Sequence, residues 1–202
     1  MMSVSSRSVI ALALAAAVLV GCSRQNNGEA SRESSMGTLT VCTVNYPLKY
    51  FADRIGGQHV DAIFPTPTGE DPAFWSPDAE AVSLYQHADL ILLNGATYAK
   101  WVPQVTLPES KLVDTTIAVK DEYISVKDAI THSHGPGDEH SHQGIAFTTW
   151  LDVKLAIAQA NAIREALVEL RPSHKAAFDQ NHTQLLSDLE ALDERLQKVT
   201  SQ

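Results

Sequence analysis

The sequence predicts an α/β fold: a parallel four-stranded sheet flanked by helices and followed by a long C-terminal helix. Three observations predict it. Short β-branched or wholly apolar runs alternate with stretches of helical spacing, the pattern of β-α-β units. After Asp89, the run Leu90-Ile91-Leu92-Leu93 is continuously apolar, as in a strand buried on both faces of a parallel sheet. Beyond Pro172, apolar residues recur at helical spacing out to Val199.

Each element follows from local chemistry. Leu39 to Val44 is rich in β-branched residues and reads as a strand. Tyr46-Pro47 opens a helical pattern with Leu48, Phe51, Ala52 and Ile55 on one face. Gly56-Gly57 ends it, since glycine tolerates the left-handed cap. His59 to Phe64 is a second strand, and the Pro-rich stretch from Pro65 to Pro77 is a loop. Pro77 to Gln86 reads as helix, Asp89 to Leu93 as strand, and Asn94-Gly95 as a turn. Ala96 to Val102 is expected to form a short helix, and Lys111 to Asp114 a fourth strand. Trp150 to Leu170 is periodic, with Leu151, Leu155, Ala158, Ile163, Leu167 and Leu170 sharing a face. Pro172 suits the first turn of the last helix, whose stripe is Phe178, Leu185, Leu189, Leu192, Leu196 and Val199. In such sheets ligands bind outside the carboxyl ends of the strands. Here those ends lead into Asn45-Tyr46-Pro47, the Pro-rich loop and Asn94-Gly95.

The N-terminus reads as an export signal. Met1 to Ser8 is polar with one positive charge, Arg7, and Val9 to Val20 is an unbroken apolar run. As a helix that run rises only about 18 Å, short of a bilayer core of roughly 30 Å. A basic start, a short apolar stretch and a small-residue exit describe a signal peptide. The exit, Leu19-Val20-Gly21-Cys22, resembles a bacterial lipobox, which implies lipidation of Cys22. Residues 22–37 are polar and read as a tether. The expectation is an exported protein, lipid-anchored at the cell membrane and facing the periplasm or exterior.

Composition excludes several classes. A net charge of -9 gives no electrostatic footprint for nucleic acid. The chain has 2 cysteines, and with Cys22 lipidated Cys42 has no partner for a disulfide. Within its apolar run Cys42 reads as an inert buried thiol. No Gly-x-Ser-x-Gly, P-loop or His-Glu-x-x-His occurs, and no enzymatic activity is expected.

One constellation carries chemistry. Thr131 to His142 reads Thr-His-Ser-His-Gly-Pro-Gly-Asp-Glu-His-Ser-His and holds two His-x-His pairs, His132/His134 and His140/His142. Neutral imidazole is a good ligand for zinc, copper and nickel, and four suffice for a tetrahedral ion. Residues two apart on an extended segment point the same way, so each pair can chelate, and Gly-Pro-Gly lets the pairs fold together. The remaining histidines, His59, His87, His174 and His182, read as structural, the last two as exposed on the long helix.

Several segments together resemble the zinc- and manganese-specific solute-binding proteins of bacterial ABC importers. They are Val44-Asn45-Tyr46-Pro47-Leu48, Ile55-Gly56-Gly57, Gly69-Glu70-Asp71-Pro72, Ala88 to Gly95, Trp150-Leu151-Asp152, and Leu170-Arg171-Pro172 to Asn181. The resemblance implies a single Rossmann-like lobe over residues 38–171, with the His-rich loop at 131–142. It further implies a long linking helix over 172–202, an importer permease as partner, and zinc as the ion. In that family one cleft histidine follows the Asp-Pro pair and another stands two residues before the Trp. Those positions are Ala73 and Thr148 here, so the resemblance implies a first lobe without its cleft ligands. The expected second lobe would begin near Gln202, which leaves part of the helix stripe for a second copy or a second-lobe partner.

Overall fold

A computed structural model of the protein describes residues 37–126, 131–133, 139–141 and 144–201, with the side chains of 127–143 left aside. The parallel sheet comprises β1 (Leu39–Thr43), β2 (Val60–Ile63), β3 (Leu90–Leu93) and β4 (Leu112–Asp114), in the order β2-β1-β3-β4. Register pairs Val41 with Ala62 on one side and with Leu90 on the other, and Leu92 with Val113. Val41, Cys42, Ile91 and Leu92 are fully buried, as strands covered on both faces require.

Helix α1 (Tyr46–Gly56) follows β1, α2 (Ala79–His87) follows β2, and α3 (Val153–Leu170) and α4 (Lys175–Thr200) close the chain. Right-handed crossovers to strands on opposite sides of β1 put α1 and α2 on opposite faces of the sheet. Each lobe helix begins at a capping side chain. Asn45 accepts from the Leu48 N–H at 3.0 Å, Asp78 from Ala81 at 2.8 Å, and Asp152 from Lys154 at 2.8 Å. At its other end α1 stops at Gly57, whose φ of 54° only glycine adopts without strain.

Leu48, Phe51 and Ile55 of α1, Ile163 and Leu167 of α3, and Phe178 and Leu185 of α4 form one apolar core with the sheet. Polar contacts fix the long helix on this core: Asn181 donates to the Ile55 carbonyl at 3.1 Å, and Arg54 pairs with Asp188 at 2.6 Å. Farther along α4 the stripe emerges into solvent at Leu192, Leu196 and Val199.

Three expectations are corrected. Ala96 to Val102 is not a helix. Gly95, Ala96 and Thr97 all take positive φ, and only a 3-10 turn at Val102–Gln104 follows. Helix α3 starts at Val153 rather than Trp150, after a 3-10 turn at Thr149–Leu151, which leaves Leu151 outside the core and 71% exposed. His174 and His182 are both half-buried rather than exposed, and His174 lies in a 3-10 turn before α4.

The polar stretch after β4 contains a 3-10 segment, Ile117–Glu122, and two small antiparallel ladders. β5 (Ser125–Val126) pairs with β8 (Gly144–Ile145), and β6 (Thr131–Ser133) pairs with β7 (Glu139–Ser141).

Candidate functional site

The order β2-β1-β3-β4 places the topological switch between β1 and β3, where connections leave in opposite directions. Asn45 follows β1 and Asn94 follows β3, and both are buried. Their amides meet across the switch: Asn45 Nδ2 donates to Asn94 Oδ1 at 3.1 Å. The same oxygen accepts from Thr149 Oγ1 at 3.2 Å and from Gln159 Nε2 at 3.1 Å. Asn94 Nδ2 donates to the Phe147 carbonyl at 2.9 Å. One side chain therefore joins two strand ends, the segment before α3 and the middle of α3. The sequence places Asn45 just past a strand and Asn94 in a turn, and no local signal shows that they meet.

The chain after Asn94 is strained. Ala96 and Thr97 have φ of 48° and 57°, the left-handed region that costs an L-residue about 1–2 kcal/mol. A Cβ at Gly95, whose φ is 72°, would stand 2.1 Å from Thr116 Oγ1 and 2.3 Å from Asp114 Oδ1. The turn aims Tyr98 at the ring of Trp150, with centroids 5.4 Å apart. Burial pushes the Tyr98 phenol well above its ordinary value, with the charge of Asp71 adding to it. Between the turn and β4 lies a pocket of about 190 Å³, lined chiefly by Leu93, Tyr98, Val102 and Asp114.

Ala73 and Thr148, the two positions that the family resemblance singles out, adjoin this edge. Ala73 is buried, and its carbonyl accepts from the Lys100 N–H at 3.2 Å. Thr148 is half-buried and leads into the turn at Thr149–Leu151. Their neighbours Phe74 and Phe147 meet edge to face at 6.2 Å, so the positions share one region of the sheet's carboxyl edge. Neither side chain carries a nitrogen donor. Among the described residues no three His, Cys, Asp or Glu side chains come together to hold a metal ion.

The His-rich segment begins and ends on the β5–β8 ladder, just before Phe147. The backbone ladder of β6 and β7 makes His132 and His140 direct register partners. His134 and His142 lie outside the described residues, as do Cys22, the leader and most of the tether. Cys42 is buried, and burial first and Asp61 second push its thiol to about 11, well away from a reactive thiolate.

The other histidines separate. His87 Nδ1 lies 2.7 Å from the Ser83 carbonyl on its own helix, and His182 Nε2 lies 2.9 Å from Asn161 Oδ1. His59 and His174 stack with centroids 3.9 Å apart. Sequence reasoning missed that pair, because its members are far apart in the chain.

A family model described as zinc-uptake complex component A, periplasmic, matches residues 41–202. The zinc-binding lipoprotein AdcA of Streptococcus pneumoniae serotype 4 (strain ATCC BAA-334 / TIGR4) is 28% identical over 200 residues, covering 96% of this chain and 38% of its own. The manganese ABC transporter substrate-binding lipoprotein scaA of Streptococcus gordonii is 27% identical over 202 residues, covering 93% of this chain and 58% of its own. A crystal structure of ZnuA superposes with a TM-score of 0.67 at 21% identity, covering 80% of this chain and 58% of that one, a likeness of fold. The chain thus spans 38% and 58% of the two relatives' lengths. No described helix is long and apolar enough to cross a membrane. With the match running from β1 to the end of α4, the chain belongs to the zinc-uptake complex component A periplasmic family, solute-binding proteins of metal importers and not enzymes.

Proposed function

We propose that this protein binds a transition-metal ion, zinc first among them, through His132, His134, His140 and His142. It collects or buffers the ion beside an ABC importer permease, from a lipid anchor at Cys22 on the outer side of the cell membrane. The observation that carries this reading is the register of the β6–β7 ladder, with His132 opposite His140. Register partners in an antiparallel ladder lie about 5 Å apart at Cα, a separation two imidazoles on one ion can span. Family membership supplies the transport context, and the names of relatives include zinc, manganese and iron. Imidazole donors favour zinc over manganese, which prefers carboxylate and water oxygens.

Calorimetry with zinc tests this on the full chain and on a variant with the four histidines changed to alanine. Binding by the native chain and at least about a hundredfold weaker binding by the variant support it, since each lost ligand or its supporting partner costs about tenfold or more. Equal binding by both contradicts it.

A second reading is favoured by Ala73 and Thr148, which offer a cleft ion no imidazole. In it the lobe is an interaction module that docks on the permease without cargo. Capture of the permease that is unchanged by chelator, with no zinc heat, selects it. In either reading the exposed Leu192, Leu196 and Val199 stripe is the contact for a second copy or a second-lobe chain. Sedimentation of the chain alone distinguishes dimer from monomer.

A further inference from the structure

The edge of the sheet opposite the switch point carries a second feature. Gly37, Thr38, Gln58, His59, Arg171 and His174 enclose a pocket of about 70 Å³. Thr38 precedes β1 and Gln58-His59 precede β2, so the pocket lies at the amino ends of two strands. Arg171 and His174 come from the junction between α3 and α4.

Every group lining this pocket suits an anion. The Arg171 guanidinium donates to the Leu170 carbonyl at 3.3 Å and has no carboxylate partner among the described residues. Its other N–H groups are available, and a guanidinium fork matches phosphate geometry. The stacked rings of His59 and His174 both rest edge-on against Phe178, at 6.0 and 6.1 Å, which fixes their planes. Gln58 and Thr38 add amide and hydroxyl donors. The pocket also adjoins the amino end of the 26-residue helix α4, where no side chain caps the first turn and the helix dipole is positive. No carboxylate is among the described lining residues, in a chain whose net charge is -9.

We propose that this pocket is an anion site that takes a phosphate group, held by the Arg171 guanidinium with His59, His174 and Gln58 as further donors. The group is a free phosphate or the phosphate of a lipid headgroup. Both present the same phosphate chemistry to these donors. The site is independent of the metal reading, since its lining shares no residue with the His-rich segment.

Inorganic phosphate is the probe, titrated at pH 6 into the full chain carrying Cys22→Ser to keep acylation out of the measurement. The expected result is saturable binding with movement of the His59 and His174 imidazole resonances. Arg171→Gln weakens it by about tenfold or more, and Arg171→Lys recovers part of the loss, because a charge-assisted fork is replaced by nothing or by a point charge. Absence of binding, or unmoved imidazole resonances, overturns the proposal whatever the variants do. So does undiminished affinity in a folded Arg171→Gln protein. Retention on phosphatidylcholine vesicles containing phosphatidic acid identifies the source. Arg171-dependent retention marks a headgroup, and soluble phosphate binding without it marks the free anion.

Discussion

Asn94 concentrates more of the lobe's polar bonding than any local pattern requires. Its carbonyl accepts three side-chain donors and its amide holds the Phe147 carbonyl, all in a residue 1% exposed. Asn94→Ala removes a hydrogen-bond partner from the buried Asn45, Thr149 and Gln159. Each buried unsatisfied group costs about 1–3 kcal/mol, so the substitution is expected to lower stability by about 4 kcal/mol, read by urea unfolding. A loss below about 1 kcal/mol would show that the network contributes little. Gln159 already has a strained balance, with its Nε2 shared between Asn94 and Thr115 and its Oε1 unpartnered. His59 shows the other side of burial. Burial first and the charge of His174 second hold its imidazole below the ordinary 6.5. His182 is lowered too, by burial first and by Arg164 second. Neutral in the fold and released on unfolding, these rings take up protons first in the unfolded chain. Their stabilisation is present above about 6.5 and is lost as pH falls through the depressed values. The urea midpoint is therefore expected to fall between pH 7 and 5, and His59→Gln to flatten that slope. A midpoint that does not move over this range would contradict the assignment.

Helix α4 is two elements in one. Its first half packs on α1 and α3 through Phe178 and Leu185, both fully buried, and its second half carries the same stripe into solvent. Leu185→Ala is expected to cost about 3 kcal/mol, a cavity in a packed core. Leu196→Ala, at a residue 46% exposed, is expected to change stability by less than about 0.5 kcal/mol. Thermal unfolding of both variants checks the contrast, and comparable losses would mean that the second half is covered by another chain in solution. The sequence revealed the strands of the sheet because buried parallel strands must be apolar on both faces, as Leu90 to Leu93 are. The helix caps at Asn45, Asp78 and Asp152 were not read from it, since Asn and Asp serve turns as readily as caps. The expected helix at Ala96 failed for a long-range reason. Gly95 is wedged against Thr116 and Asp114, some twenty residues on, and the left-handed turn that follows is set by that contact rather than by helix propensity.

Across the whole molecule, polar chemistry gathers at the two edges of one sheet. At the carboxyl edge, the switch-point crevice of a doubly wound sheet is closed by the Asn45–Asn94 bridge, beside Ala73 and Thr148. The family resemblance picks out those two positions through the motifs that flank them. It could not show that their neighbours Phe74 and Phe147 pack edge to face. At the amino edge, His59, Arg171 and His174 converge from segments with no shared motif, and only the fold brings them together. The proposed metal binding rests on the His-rich segment between β5 and β8. Zinc titration followed by histidine imidazole NMR tests this most directly. The account predicts that the resonances of His132, His134, His140 and His142 shift with added zinc, while those of His59, His87, His174 and His182 stay in place. Loop resonances that do not move, or zinc-dependent shifts confined to the other four, would contradict it.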